Sequence, residues 1–80
     1  MVDIASYRAL LGRHIADIRK LRGASQESLA EELHISRTYM GYIEQGVRTP
    51  SLETLLGISE SLEVTMPELL DFAWMPKSKL

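Results

Sequence analysis

The sequence predicts an all-α fold, a compact bundle of five short helices around one core. Apolar residues recur at three- and four-residue spacing, as in Tyr7, Leu11, Ile15 and Ile18, then Leu29, Ala30 and Leu33, then Met40 and Ile43. A serine or threonine (Ser25, Ser36, Ser51 and Thr65) stands ahead of the later runs. There its hydroxyl can accept from a free backbone N–H of the first helical turn. Gly23 and Gly46 stand just behind two of the runs, where a helix stops.

Length and charge set the limits. Eighty residues make one domain, 1–80, with an expected core of 7–73 and a loose, weakly basic tail at 75–80. A chain this size buries only ~60–65% of its unfolded surface, so modest stability is expected. There is no cysteine, which excludes disulfides and thiolate metal sites. With His14 and His34 as the only histidines, no metal or other cofactor is expected. No apolar run approaches the ~20 residues of a membrane span. The first residues, MVDIASYRALL, carry an early acid and no long apolar stretch, unlike a signal peptide. A soluble, cytoplasmic protein is the expectation. The net charge is −2, which argues mildly against a nucleic-acid binder, but its distribution is more permissive. Residues 1–23 sum to +3, residues 24–50 to −2 and residues 51–80 to −3.

In the first helix Tyr7, Leu11, Ile15 and Ile18 form one stripe of an amphipathic surface. Residues 1–5 form either an arm or an added half turn. His14 lies beside the stripe, a position that favours a packed, structural role.

Ser25 caps the second helix, and the small Ala30 sits where another helix must pass closely. His34 occupies the following turn, with Ile35 as an apolar plug. Ser36 caps the third helix. Met40 and Ile43 then point to the core, leaving Arg37, Thr38, Gly41 and Tyr42 facing outward. This is the spacing of a helix-turn-helix, in which the first turn of the second helix touches base edges. Arg37 can reach guanine O6 and N7 with two parallel hydrogen bonds, and Thr38 can offer its hydroxyl or its methyl. Tyr42, one turn beyond Thr38, is placed for a base. Tyr39, toward the side of the helix, is placed for a phosphate. An ordinary αα-hairpin with a solvated polar face has the same spacing.

Val47-Arg48-Thr49-Pro50 is the next loop, and Pro50 holds the residue before it extended. Ser51 caps the fourth helix, built on Leu52, Leu55, Leu56, Ile58 and Leu62. Thr54 is too short to complete a capping box there. Thr65 and Glu68 do form a T-x-x-E box around Pro67 at the start of a fifth helix. Leu62, Val64, Met66, Leu69, Phe72 and Trp74 together offer more apolar surface than so short a last helix needs. A homodimer interface through this end is therefore expected, against the alternative that these residues only close the monomer core.

Several separate blocks now agree in order and spacing. They are Leu11, Ile15, Ile18, Arg19 and Gly23; Ser25-Gln26 with Leu29-Ala30; Ser36-Arg37-Thr38-Tyr39; Ile43-Glu44-Gln45-Gly46; and Arg48-Thr49-Pro50-Ser51-Leu52. From Leu11 to Leu70 the chain resembles the phage-repressor-like (XRE-type) helix-turn-helix family, whose fold is that of the lambda-repressor DNA-binding domain. Within it, SRTYMGYIEQGVRTPSL looks most like the controller proteins of restriction–modification systems. The resemblance implies an ion pair between Arg19 and Glu44 that ties the first helix to the end of the third. It also implies phosphate contacts from Gln26, and sugar–phosphate contacts from Arg48, Thr49 and Ser51, with Ser36 and Tyr39 beside them. The family often has glycine at the position of His34, because that turn needs a positive φ.

The function expected is a sequence-specific, DNA-binding transcriptional regulator. As a homodimer it would bind double-stranded operator DNA of two-fold symmetry. If it is a controller protein, the resemblance implies action on its own promoter and that of a restriction endonuclease, with RNA polymerase as a partner when it activates. A phage-type repressor, an antitoxin, or a helix-turn-helix used to dock a protein are the rivals. An enzyme is not expected: there is no serine–histidine–acid spacing, phosphate loop or metal cluster, and little room for a pocket. No small-molecule ligand is expected either.

Overall fold

The computed structural model describes residues 3–77. These form α1 (Ile4–Leu21), α2 (Gln26–Leu33), α3 (Arg37–Glu44), α4 (Leu52–Ser61) and α5 (Met66–Leu70), with no strand among the described residues. Helices of 8, 8, 10 and 5 residues (α2 to α5) are too short to hold their form alone in water. They depend on a shared interior. Ile15 and Ile18 of α1, Met40 of α3, Ile58 of α4 and Leu69 of α5 are fully buried, and Leu29 and Ala30 of α2 nearly so. Each large side chain so buried contributes ~1.5–3 kcal/mol.

α1 starts earlier than its apolar stripe indicates. Asp3 caps it, one carboxylate oxygen accepting from the Ser6 hydroxyl at 2.7 Å and the other from the Ser6 N–H at 3.3 Å. Those bonds hold the Asp3 carboxyl below its ordinary pKa. Of the two expectations for residues 1–5, an arm or an added half turn, the structure has the added turn, capped from residue 3, while residues 1 and 2 lie outside the described part. The stripe itself is narrower than expected, because Tyr7 is 55% exposed. His14 is buried, its Nε2 lies 3.1 Å from the Glu68 carbonyl oxygen, and its ring meets Phe72 edge-on. It pins α5 to α1.

Two devices set α3 against α1. The first is the absence of a side chain. A Cβ at Gly12 would lie 2.3 Å from the carbonyl oxygen of Ile43 and 2.6 Å from that of Glu44. Only glycine lets the helices approach this closely. The second is a set of bonds on Glu44. Arg19 Nε and Nη2 donate to its two carboxylate oxygens at 2.6 and 2.9 Å, and Gln26 Nε2 donates to Oε1 at 2.8 Å. Arg19 Nη1 also donates to the Ala24 carbonyl at 2.8 Å. The Arg19 and Glu44 side chains are 9% and 5% exposed, so each depends on the other for compensation of its charge. The hydrogen bonds that Arg19 donates to Glu44 hold its pKa above the ordinary value, against the opposing cost of burial.

The C-terminal half departs from expectation in two places. Leu62, Val64 and Leu69 were expected at a subunit interface, but they are 1%, 8% and 0% exposed. Side chains already enclosed by their own chain have no surface to present to another. Met66, Phe72 and Trp74 are half-buried against the same core. Pro76, placed in the expected loose tail, is buried. Residues 78–80 of that tail lie outside the described residues.

These contacts lead to three expected outcomes. Gly12→Ala should lower stability by ~2–3 kcal/mol, because α3 must shift to admit the methyl; an unchanged denaturant midpoint would mean the helices are free to separate. Glu44→Ala should cost ~3 kcal/mol or more by stranding Arg19, read as a fall in Tm of 10 °C or more at roughly 4–8 °C per kcal/mol; a negligible shift would remove the pair from the account. His34, with φ 55° and ψ 39°, holds a left-handed conformation that costs a non-glycine residue ~1 kcal/mol. His34→Gly should leave Tm level or raise it, and a clear loss would show that the imidazole itself supports the turn.

Candidate nucleic-acid interface

The α2–turn–α3 unit is built from its caps inward. Ser25 Oγ accepts from the Ser28 N–H at 2.9 Å, and Ser28 Oγ accepts from the Ser25 N–H at 3.1 Å, a reciprocal box. Sequence reading identified the first bond and missed the second, because serine is an unusual third residue for a box. After His34 turns the chain, the Ile35 N–H donates to the Ala30 carbonyl at 3.0 Å. That bond brings Ile35 down onto the core as a plug. Ser36 Oγ then accepts from the Tyr39 N–H at 3.0 Å and starts α3. With Met40 and Ile43 buried, the direction of every other α3 side chain follows.

Arg37 and Thr38 are exposed at the first turn of α3, as expected. Thr38, Gly41, Tyr42 and Gln45 fall at i, i+3, i+4 and i+7, one continuous outward stripe. Tyr42 is 39% exposed. Gln45, an exposed amide, was not among the expected readers, although its spacing from Thr38 was legible. Tyr39 sits differently: it is half-buried and packs against the core, so only part of it is offered to a partner.

The residues expected at the sugar–phosphate backbone are divided. Arg48 is exposed in the loop after α3, where its backbone N–H donates to the Tyr42 carbonyl at 3.3 Å. Thr49 Oγ1 accepts from Arg8 Nε at 2.7 Å, which ties the loop to α1. Arg8 was not singled out in the sequence, since nothing local links it to a residue so distant. Ser51 Oγ is occupied as the α4 cap, accepting from Thr54 N–H at 3.1 Å. Ser36 is likewise a cap. Gln26 opens α2, but its amide nitrogen is held on Glu44. The donors left at this point are the second hydrogen of that amide and the free backbone N–H groups of the first turn of α2.

The positive charge available is thinner than the sequence suggests. Arg19 is buried on Glu44, and Arg22 donates to the carbonyls of Leu62 at 2.8 Å and Glu63 at 3.1 Å, closing the end of α4. Arg13, Lys20, Arg37 and Arg48 stay exposed. Among the described residues no cluster of three acidic, histidine or cysteine side chains could hold a metal ion. Among the described residues no helix is long and apolar enough to cross a membrane.

Comparison with known proteins agrees with this arrangement. The helix-turn-helix profile HTH_3 matches residues 15–69. The chain is 42% identical over 66 residues to control protein C.BamHI of Bacillus amyloliquefaciens, covering 81% of this chain and 82% of that one. It is 40% identical over 72 residues to the transcriptional regulator SlrR of Bacillus subtilis, covering 89% of this chain but only 47% of that protein. Among solved structures, the restriction-modification controller protein C.AhdI of Aeromonas hydrophila superposes with a TM-score of 0.77 at 31% identity, over 80% of this chain and 97% of that one. The chain therefore belongs to the XRE-type helix-turn-helix family of DNA-binding transcription regulators, and restriction–modification controller proteins are among its relatives.

Proposed function

We propose that the protein is a homodimeric controller of a restriction–modification system, binding operator DNA of two-fold symmetry upstream of its own gene and of a restriction endonuclease gene. The observation that carries this reading is the first turn of α3. Arg37 and Thr38 stand there exposed, on a helix whose other side is locked by Gly12 and Glu44. The likeness to C.BamHI and C.AhdI supports the controller role over a phage-type repressor or an antitoxin.

In this reading α3 enters the major groove. Arg37 reads guanine through O6 and N7, Thr38 and Tyr42 touch neighbouring edges, and Arg48, Thr49, Ser51, Ser36 and Gln26 set the register against phosphates. With so few exposed cations, one subunit gains little from counterion release. Two subunits on half-sites ~34–36 Å apart double those contacts. The free apolar surface suited to pairing is a groove between α1 and the C-terminal segment. It is lined by Ile4, Tyr7, Leu11, Leu70 and Phe72, with Leu10 and Met75 close by. Phe72 is thus retained at the proposed interface; it, Met66 and Trp74 are half-buried against the core that holds Leu62, Val64 and Leu69. Where the protein activates, RNA polymerase is the second partner, and the cytoplasm is its place of action.

The net charge of −2 favours one rival, a helix-turn-helix that docks a protein. The two readings part on salt and on Arg37. Binding to DNA from upstream of the gene should be sequence-preferring and fall as salt rises, and Arg37→Ala should lose ~1–3 kcal/mol of that preference. Equal, weak binding by both proteins would favour protein docking.

A further inference from the structure

Gly41 is the one glycine whose place the chain itself does not explain. A Cβ at Gly12 or Gly46 would overlap the backbone of a neighbouring helix, one at Gly57 would meet the end of the Leu33 side chain, and Gly23 and Gly46 have positive φ. Gly41 has neither feature. It lies inside α3 with no positive φ, and a Cβ there would meet nothing within 4 Å. Glycine inside a helix is less stable than alanine, and α3 has only 8 residues over which to spread that loss. The reason for the missing side chain therefore lies outside the chain.

Its position says where. Gly41 is at the centre of the outward stripe, three residues after Thr38, four after Arg37 and four before Gln45. A helix with its side chains is ~10–12 Å across, and the major groove is ~12 Å wide. On the side that faces the bases, a side chain at the point of nearest approach would hold the helix axis farther from them. We propose that Gly41 is the point at which α3 comes closest to the base edges of duplex DNA. Its bare backbone sets how deeply Arg37 and Thr38 reach, and so sets sequence preference. The proposal rests on the reading of α3 as the DNA-reading helix.

The test is Gly41→Ala against wild type, on a duplex selected by the wild-type protein from a random pool and on a scrambled duplex of the same composition. Tm should rise by about 4–8 °C, as expected for removing an unsupported glycine from a helix. Affinity for the selected duplex should fall at least tenfold, with affinity for the scrambled duplex unchanged. Undiminished affinity for the selected duplex would overturn the proposal, as would an equal loss on both duplexes, which would place the contact at the phosphates. If Arg37→Ala also binds the selected duplex like wild type, the DNA-reading assignment of α3 fails with it. If only Gly41→Ala does, that assignment stands and the role given to Gly41 falls.

Discussion

Glu44 holds three helices at one point. Its carboxylate takes two bonds from Arg19 of α1 and one from Gln26 of α2, at the last residue of α3. Each partner is separately constrained, Arg19 by the Ala24 carbonyl and Gln26 by its place at the start of α2. A buried ion pair is weak evidence for stability by itself, because desolvation offsets most of its attraction. What it supplies here is geometry. Burial of Met40 and Ile43 sets which face of α3 turns outward, but apolar contacts are non-directional and have no strong preference among small rotations about that setting. Three charge-assisted bonds do have one, and the near contact at Gly12 removes the remaining freedom along the axis. The outward stripe is thus presented in one orientation before any partner arrives.

The economy of charge follows from the same arrangement. Arginines that look in the sequence like a basic first helix are largely structural: Arg19 at the clamp, Arg22 on the end of α4, Arg8 on Thr49. They tie α1 to α3, to the end of α4 and to the loop after α3. What remains for a polyanion is a few exposed side chains, two of them, Arg37 and Arg48, on α3 and the loop it leads into. A domain arranged this way depends on fit and on pairing more than on general attraction. That is consistent with its slightly acidic net charge.

Much of this was legible in the residues. Serine and threonine caps, glycine stops and apolar spacing place the last four helices and the body of α1, because these are local signals with a local cause, while the Asp3 cap that starts α1 went unmarked. The left-handed His34 was implied by the resemblance to a family that often has glycine at that position. What the sequence concealed depends on distance in the chain. Gly12 reads as an ordinary glycine in a helix until α3 is laid across it. Arg8 and Thr49 are unrelated until the loop returns to α1. Leu62, Val64 and Leu69 looked like surplus apolar surface because α1 and α4 had not yet been folded around them. Glu63, at φ 58° after α4, is a second left-handed turn residue that no sequence signal marked. Ser28, in the α2 box, was hidden by the rarity of serine in that place.

The Arg19–Glu44 bond, and not packing alone, holds α3 in its place. A double-mutant cycle on Arg19→Met and Glu44→Gln, measured by denaturant unfolding, tests it most directly. Each single change should cost several times more than an exposed pair would, and the double mutant should be no less stable than the worse single, giving a coupling of ~2 kcal/mol or more. Additive losses, or single losses under ~1 kcal/mol, would show that the two side chains act independently and that the account of how α3 is held is wrong.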